Sequence, residues 1–147
     1  MRVGVPKEIK NQERRVGLTP VSVGELSHRG HEVIVETDAG GGIGADDDAY
    51  AAAGARIVDS AAAVFDESEL IVKVKEPQAV ERAMLREQHT LFTYLHLAPD
   101  PDQTRDLVDS GATCIAYETV TDGAGGLPLL APMSKVAGRM SIQAAAT

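Results

Sequence analysis

A single cysteine, Cys114, among 147 residues rules out an internal disulfide and any CxxC zinc site. Its isolation fits a reducing compartment, and its place in the apolar run Ala112 to Tyr117 reads as core and not as a nucleophile. Aromatic residues are only 3% of the chain and tryptophan is absent, so platforms for stacking bases are lacking and the core must be built from Val, Ile, Leu and Ala. Positive charge is scarce as well: 14 Lys or Arg against 22 Asp or Glu give a formal charge of −8. That balance argues against binding nucleic acid or anionic membrane surfaces, which require clustered cations. No stretch approaches the roughly 20 apolar residues of a membrane span, and the opening MRVGVPKEIKNQERR lacks the apolar core of a signal peptide. A cytoplasmic protein with one compact core is expected, since 44% apolar and 24% charged residues are ordinary for a globular domain.

What the chain does have is alternation. Short runs rich in β-branched residues, Val3 to Pro6, Glu32 to Glu36, Arg56 to Val58, Leu70 to Lys75, Thr90 to Leu95 and Thr113 to Tyr117, read as strands. Between them lie helical stretches with their own punctuation. Thr19 and Pro20 open the first and Gly30 closes it; Asp46 to Asp48 open a second, which ends before Gly54. Ala61 to Phe65 after Ser60, Gln78 to Arg86 after Pro77, and Asp102 to Val108 before Gly111 complete the set. Strand alternating with helix at this pace predicts right-handed crossovers and an α/β fold: a doubly wound, mainly parallel sheet of Rossmann-like or flavodoxin-like type. Beyond the glycine-rich loop Asp122 to Gly126, a helical stretch from Ser134 runs to Thr147 without a stop signal, so a fold incomplete at its C-terminus is expected.

Four features bear on chemistry. Gly40, Gly42 and Ala45 form a GxGxxA between strand and helix, the outline of a dinucleotide fingerprint, but Asp46, Asp47 and Asp48 crowd the helix start where a pyrophosphate would sit, and capping acids account for them better. Five cations, Arg2, Lys7, Lys10, Arg14 and Arg15, fall within the first fifteen positions of an acidic chain. The loop from Lys7 to Leu18 leaves the first strand at its carboxyl end, where open parallel sheets bind ligands, and Arg14 or Arg15 could hold a small carboxylate there; a solvated charged loop accounts for the same composition. In LIVKVKEP, Lys73 and Lys75 alternate with Val72 and Val74 on one sheet face; Lys75, nearer the strand end, suits a ligand, and Lys73 suits a helix carboxylate. His96 follows the run Leu91 to Leu95 and is placed for proton transfer, whereas His28, His31 and His89 flank turns and give no further sign. Arginine, lysine and histidine at successive strand ends describe a pocket for a small keto or amino acid anion.

The stretch Gly4 to Gly30, GVPKEIKNQERRVGLTPVSVGELSHRG, resembles the N-terminal signature shared by alanine dehydrogenases and the alpha subunits of proton-translocating nicotinamide nucleotide transhydrogenases. VKVKEP, LFTYLHLA, IAYETV and LPLLAPMSKVAGRM look specifically like alanine dehydrogenase, and the resemblance covers essentially the whole chain. It implies reversible oxidative deamination of L-alanine to pyruvate and ammonia with NAD, commonly in a hexamer. Carried over by position, Arg15 and Lys75 match the substrate-binding residues, His96 matches the catalytic acid/base, Ser134 matches a cofactor contact, and Met133 lies on the nicotinamide side of the cleft. Gly17 stands where alanine is more usual, a swap expected to loosen the loop, and Lys135 where an acid is often seen.

Family members are more than twice this long, with a cofactor domain inserted after the helix near Ser134 and a catalytic aspartate in it. The expected organisation is therefore a substrate domain over residues 1–132 and, over 133–147, the start of a helix leading to an absent NAD-binding domain, the chain being inactive alone. The alternatives are the transhydrogenase nucleotide-binding subunit, in which the segment at Leu91 to Ala98 lacks the histidine, and a non-catalytic binding or assembly module. No metal is implied.

Overall fold

Six strands alternate with helices in the computed structural model, which describes residues 1–146. In chain order the elements are β1 (Arg2–Val5), α1 (Pro20–His28), β2 (Glu32–Glu36), α2 (Asp47–Ala52), β3 (Ala55–Val58), α3 (Ala61–Glu67), β4 (Leu70–Val72), α4 (Ala79–Arg82), β5 (Thr90–Thr93), α5 (Pro101–Ser110), β6 (Thr113–Ala116) and α6 (Ala131–Ala145). The strands form one open sheet in the order β3-β2-β1-β4-β5-β6, and every pairing is parallel. This is the Rossmann order, not the flavodoxin one.

Strand alternation sorts the core into two halves. Val3 and Val5 pair in register with Val33 and Val35, and these four pack with Val23 of α1 and Tyr50 of α2. Ile34, Ile71 and Leu91 point the other way, to Val64 and Phe65 of α3 and Leu107 of α5. Each such side chain contributes about 1.5–3 kcal/mol when fully buried. Helices α1 and α2 thus cover one face and α3 and α5 the other. The change of face happens where the chain passes from β3 across to β4, leaving β1 between β2 and β4 at the topological switch point. Gly4 allows α3 to lie this close: a Cβ there would sit 2.4 Å from Ser68 Oγ and 2.7 Å from Val64 Cγ1.

Most helix boundaries follow the punctuation. Thr19, Asp46 and Ser60 accept hydrogen bonds from Ser22, Ala49 and Ala63 amides, and Gly30 and Gly111 take left-handed backbones just past α1 and α5. Three elements differ from expectation by three residues or more at one end. The predicted strand to Lys75 ends at Val72, because β1 stops before Pro6, which has no N–H, and the Val74 amide goes to the Glu8 side chain while the Lys73 amide still reaches the Phe92 carbonyl. The helix predicted to reach Arg86 ends at Arg82, because the Arg86 amide that a longer helix would give to the Arg82 carbonyl goes to His89 Nδ1 at 2.9 Å. The last helix begins at Ala131, before Ser134, with Pro132 in its first turn. Among the described residues no helix is long and apolar enough to cross a membrane.

Candidate functional site

The switch-point crevice opens between the carboxyl ends of β1 and β4, and its floor is ionic. Glu8, 8% exposed, folds under the loop that follows β1. Its Oε1 accepts from the Val74 amide at 2.6 Å and the Lys75 amide at 3.4 Å, and its Oε2 from Lys73 Nζ at 3.2 Å. Lys73 is wholly buried and also lies 2.7 Å from Glu81 Oε1 of α4, an electrostatic contact and not an aligned hydrogen bond. The other Glu81 oxygen accepts from the Gln78 amide at 2.7 Å, closing the cap of α4. Two carboxylates share one ammonium. Burial pushes the Glu8 carboxyl above its ordinary range, opposed by the charge of Lys73.

Further contacts stitch the post-β1 loop to its surroundings. Lys10 pairs with Glu76. Gly17 lies directly on β4, where a Cβ would meet the Val72 carbonyl oxygen at 2.3 Å, so the loop closes more tightly than an alanine permits; the expected loosening is not found. Gly42 of the GxGxxA turn plays the same part, since a Cβ there would lie 2.2 Å from the Arg14 carbonyl oxygen. That turn faces acids throughout: Asp46 caps α2, and Asp47 accepts from the Thr37 hydroxyl at 2.6 Å and the Asp38 amide at 2.9 Å. Gly42 makes room for the Arg14 backbone and Gly40 for Tyr50 of α2, and the fingerprint has no place for a pyrophosphate.

Arg15 is half-engaged. Its Nε and Nη2 donate to Glu13 Oε1 and Oε2 at 2.8 and 2.6 Å, and Nη1 reaches the Met133 thioether at 3.4 Å. The guanidinium holds the Glu13 carboxyl down at about 2. The end-on Nη1–Nη2 edge retains donors for a second anion. Met133, half-buried, sits in the first turn of α6, and the Ser134 side chain beside it is exposed with no partner among the described residues.

Lys75 follows β4 with its backbone tied on both sides, its amide to Glu8 and its carbonyl to the Thr93 hydroxyl at 2.8 Å. Its ammonium, half-buried, forms no ion pair among the described residues, in contrast to Lys73 two positions earlier. His96 follows β5, is exposed, and has a left-handed φ of 53°; its imidazole has no hydrogen-bond partner among the described residues. Between them, Tyr94 donates from its hydroxyl to the Leu129 carbonyl at 2.5 Å, drawing the segment before α6 over the rim. Arg15, Lys75 and His96 therefore stand at the carboxyl ends of three adjacent strands, β1, β4 and β5, on one rim, with Met133 touching Arg15.

Sequence reasoning passed over Glu8, although a carboxylate two residues past Pro6 in a cation-rich loop was a visible oddity. It also passed over His89, which is 2% exposed: Nδ1 accepts from the Arg86 amide and Nε2 donates to the Phe65 carbonyl at 2.9 Å, locking α3 to the turn before β5. Burial pulls its pKa below the ordinary histidine value. Cys114 is half-buried beside the core, its thiol pushed up by burial, which suits the packing role expected of it.

The model of the family described as alanine dehydrogenase/PNT, N-terminal domain, matches residues 4–137. An alanine dehydrogenase of Halomonas elongata is 60% identical over 146 residues, 99% of this chain and 39% of that protein. Alanine dehydrogenases of Methanococcus maripaludis and Mycobacterium tuberculosis are 53% and 52% identical over 97% and 99% of the chain. Among solved structures, an L-alanine dehydrogenase superposes with a TM-score of 0.93 at 52% identity, covering 97% of this chain and 39% of that one. A transhydrogenase from Sinorhizobium meliloti is a weaker match, with a TM-score of 0.75 at 30% identity over 80% of this chain and 35% of that one. The chain thus spans about 39% of the length of these dehydrogenases. The matched family model and the high identity over nearly the whole chain show that the chain belongs to the alanine dehydrogenase/PNT N-terminal domain family.

Proposed function

We propose that this chain forms the substrate-holding part of an NAD-dependent L-alanine dehydrogenase, converting L-alanine, NAD and water to pyruvate, ammonia and NADH. The observation that carries the reading is the row of Arg15, Lys75 and His96 at the ends of β1, β4 and β5, in a family whose matched dehydrogenases bear that name. The free edge of the Arg15 guanidinium pairs with the substrate carboxylate. The Lys75 ammonium, without an ion pair among the described residues, polarises the pyruvate carbonyl, or the imine that precedes it. His96 takes the proton from the water that adds to the imine carbon, and returns one in the reverse direction.

The described residues fit the cofactor at one edge only. Met133 and Ser134, at the start of α6, would lie against its nicotinamide, while the glycine turn at 40–44 is filled by the Arg14 backbone and rimmed by carboxylates. Bound there, NAD supplies the acceptor for the hydride of the alanine Cα. The remaining binding groups belong to a separate domain, so the chain is inactive alone, and the working enzyme is a homo-oligomer, a hexamer. A cytoplasmic location accords with the lone unpaired cysteine.

Pyruvate titration of the purified chain, followed by NMR, tests this. Binding is weak, shifts Arg15 and Lys75 side-chain signals, and is abolished by Arg15→Ala; L-alanine with NAD yields no NADH. Binding indifferent to both Arg15→Ala and Lys75→Ala would sink the assignment of the site, and NADH formation would sink the claim of inactivity.

A further inference from the structure

The turn carrying His96 is gripped from two directions by side chains of later elements. Glu118, in the 3-10 turn Tyr117–Thr119 that follows β6, gathers two successive amides: its Oε1 accepts from Leu95 at 3.1 Å and from His96 at 2.7 Å, and its Oε2 lies 3.3 Å from the Leu95 nitrogen. Gln103 of α5, 1% exposed, donates from Nε2 to the Leu95 carbonyl at 2.6 Å. Both peptide groups of the buried Leu95 are thereby spoken for by side chains. The next residue, His96, takes the left-handed backbone that side chains with a Cβ rarely adopt. Such a conformation persists only where its surroundings over-determine it, and a carboxylate on paired N–H groups is a strong restraint.

We infer that Glu118 is a positioning residue for His96: by collecting the Leu95 and His96 amides it fixes the backbone at residue 96 and so sets where the imidazole stands along the rim relative to Arg15 and Lys75. The inference rests on the proposed proton-transfer role of His96. Released from Glu118, residue 96 relaxes toward an extended backbone, which turns its Cα–Cβ bond to another side of the chain. Gln103 acts in the same turn from within the core, on the carbonyl side of the peptide whose His96 N–H Glu118 holds.

The test uses isotope-labelled chain in three forms: unsubstituted, Glu118→Ala and Glu118→Gln. In the unsubstituted chain the Leu95 and His96 amide protons resonate downfield, as charge-assisted donors do. In Glu118→Ala both shift upfield, the three-bond amide coupling at His96 moves toward extended values, and pyruvate no longer shifts the imidazole signals while still shifting those of Arg15 and Lys75. Glu118→Gln, which keeps one acceptor oxygen, recovers the imidazole response. Unchanged amide shifts and coupling in Glu118→Ala overturn the inference, and so does loss of the pyruvate response at all three groups together, which marks a general structural role. If the alanine form does not fold, Glu118→Gln carries the comparison, with a partial upfield shift of both amides expected and no shift overturning it. If pyruvate moves none of the three groups in the unsubstituted chain, the functional reading falls, and the amides and coupling alone decide whether Glu118 holds residue 96.

Discussion

Replacing Lys73 by methionine isolates the ionic floor of the crevice. The ammonium is wholly buried between Glu8 and Glu81, both nearly buried themselves. Methionine fills similar volume, so little is lost in packing, but two carboxylates are left without their cation. Breaking a buried pair in this way costs about 3–5 kcal/mol. With a urea m-value of about 1–3 kcal/mol/M for a small domain, the unfolding midpoint falls by about 2 M. The loss depends on pH. Without Lys73 the Glu8 carboxyl, already raised by burial, rises further. An acid whose folded pKa exceeds its unfolded one destabilises fully above the folded pKa, and the penalty disappears as pH falls toward the ordinary glutamate range near 4.3. Urea melts of Lys73→Met should therefore differ from the parent strongly at pH 7 and less at pH 5. A triple variant, Glu8→Gln, Lys73→Met and Glu81→Gln, should regain much of the loss. A loss below about 1 kcal/mol at pH 7, or one equal at both pH values, would refute the account of the triad as a tightly coupled buried unit.

His89 should titrate below the usual histidine value in an NMR pH series, because burial disfavours its charge and its Nδ1 accepts from the Arg86 amide; its share of stability is complete above the unfolded value of about 6.5 and is lost as pH falls toward the folded one. His89→Ala leaves the Arg86 amide and Phe65 carbonyl unpaired and should cost about 2–3 kcal/mol in a denaturant melt. Gly4→Ala pushes α3 off the sheet and should lower stability by about 1–3 kcal/mol, read by thermal unfolding. The Glu13 carboxyl should titrate at about 2 by NMR, and Arg15→Ala should return it toward 4.5; the stabilisation it brings is present above that ordinary value and is lost as pH falls through about 2.

The legible part of this molecule was whatever depends on residues close together in the chain. Thr19, Asp46, Ser60, Gly30 and Gly111 marked helix ends because capping and left-handed turns are settled within four residues. The side of the sheet could be anticipated because parallel strands put every carboxyl end on one side, which is where the segments carrying Arg15, Lys75 and His96 leave β1, β4 and β5. The strand ending at Val72 and the helix ending at Arg82 were misjudged because their limits are set by Glu8 and His89, whose partners are not their periodic neighbours.

Sequence alone determined the α/β alternation, the direction of the sheet and which loops carry its cations, since hydrophobic period and turn chemistry are local properties. The sequence already assigned Lys73 to a helix carboxylate, which Glu81 of α4 supplies, and tertiary structure alone added the second carboxylate, Glu8. Lys73 meets a glutamate 65 residues away in the chain, while Lys75 remains without an ion-pair partner among the described residues. It likewise decided that the Gly17 and Gly42 backbones serve close packing and that Glu118 holds the His96 turn. Pairings across such separations follow from how the layers stack, and no window along the chain contains both partners.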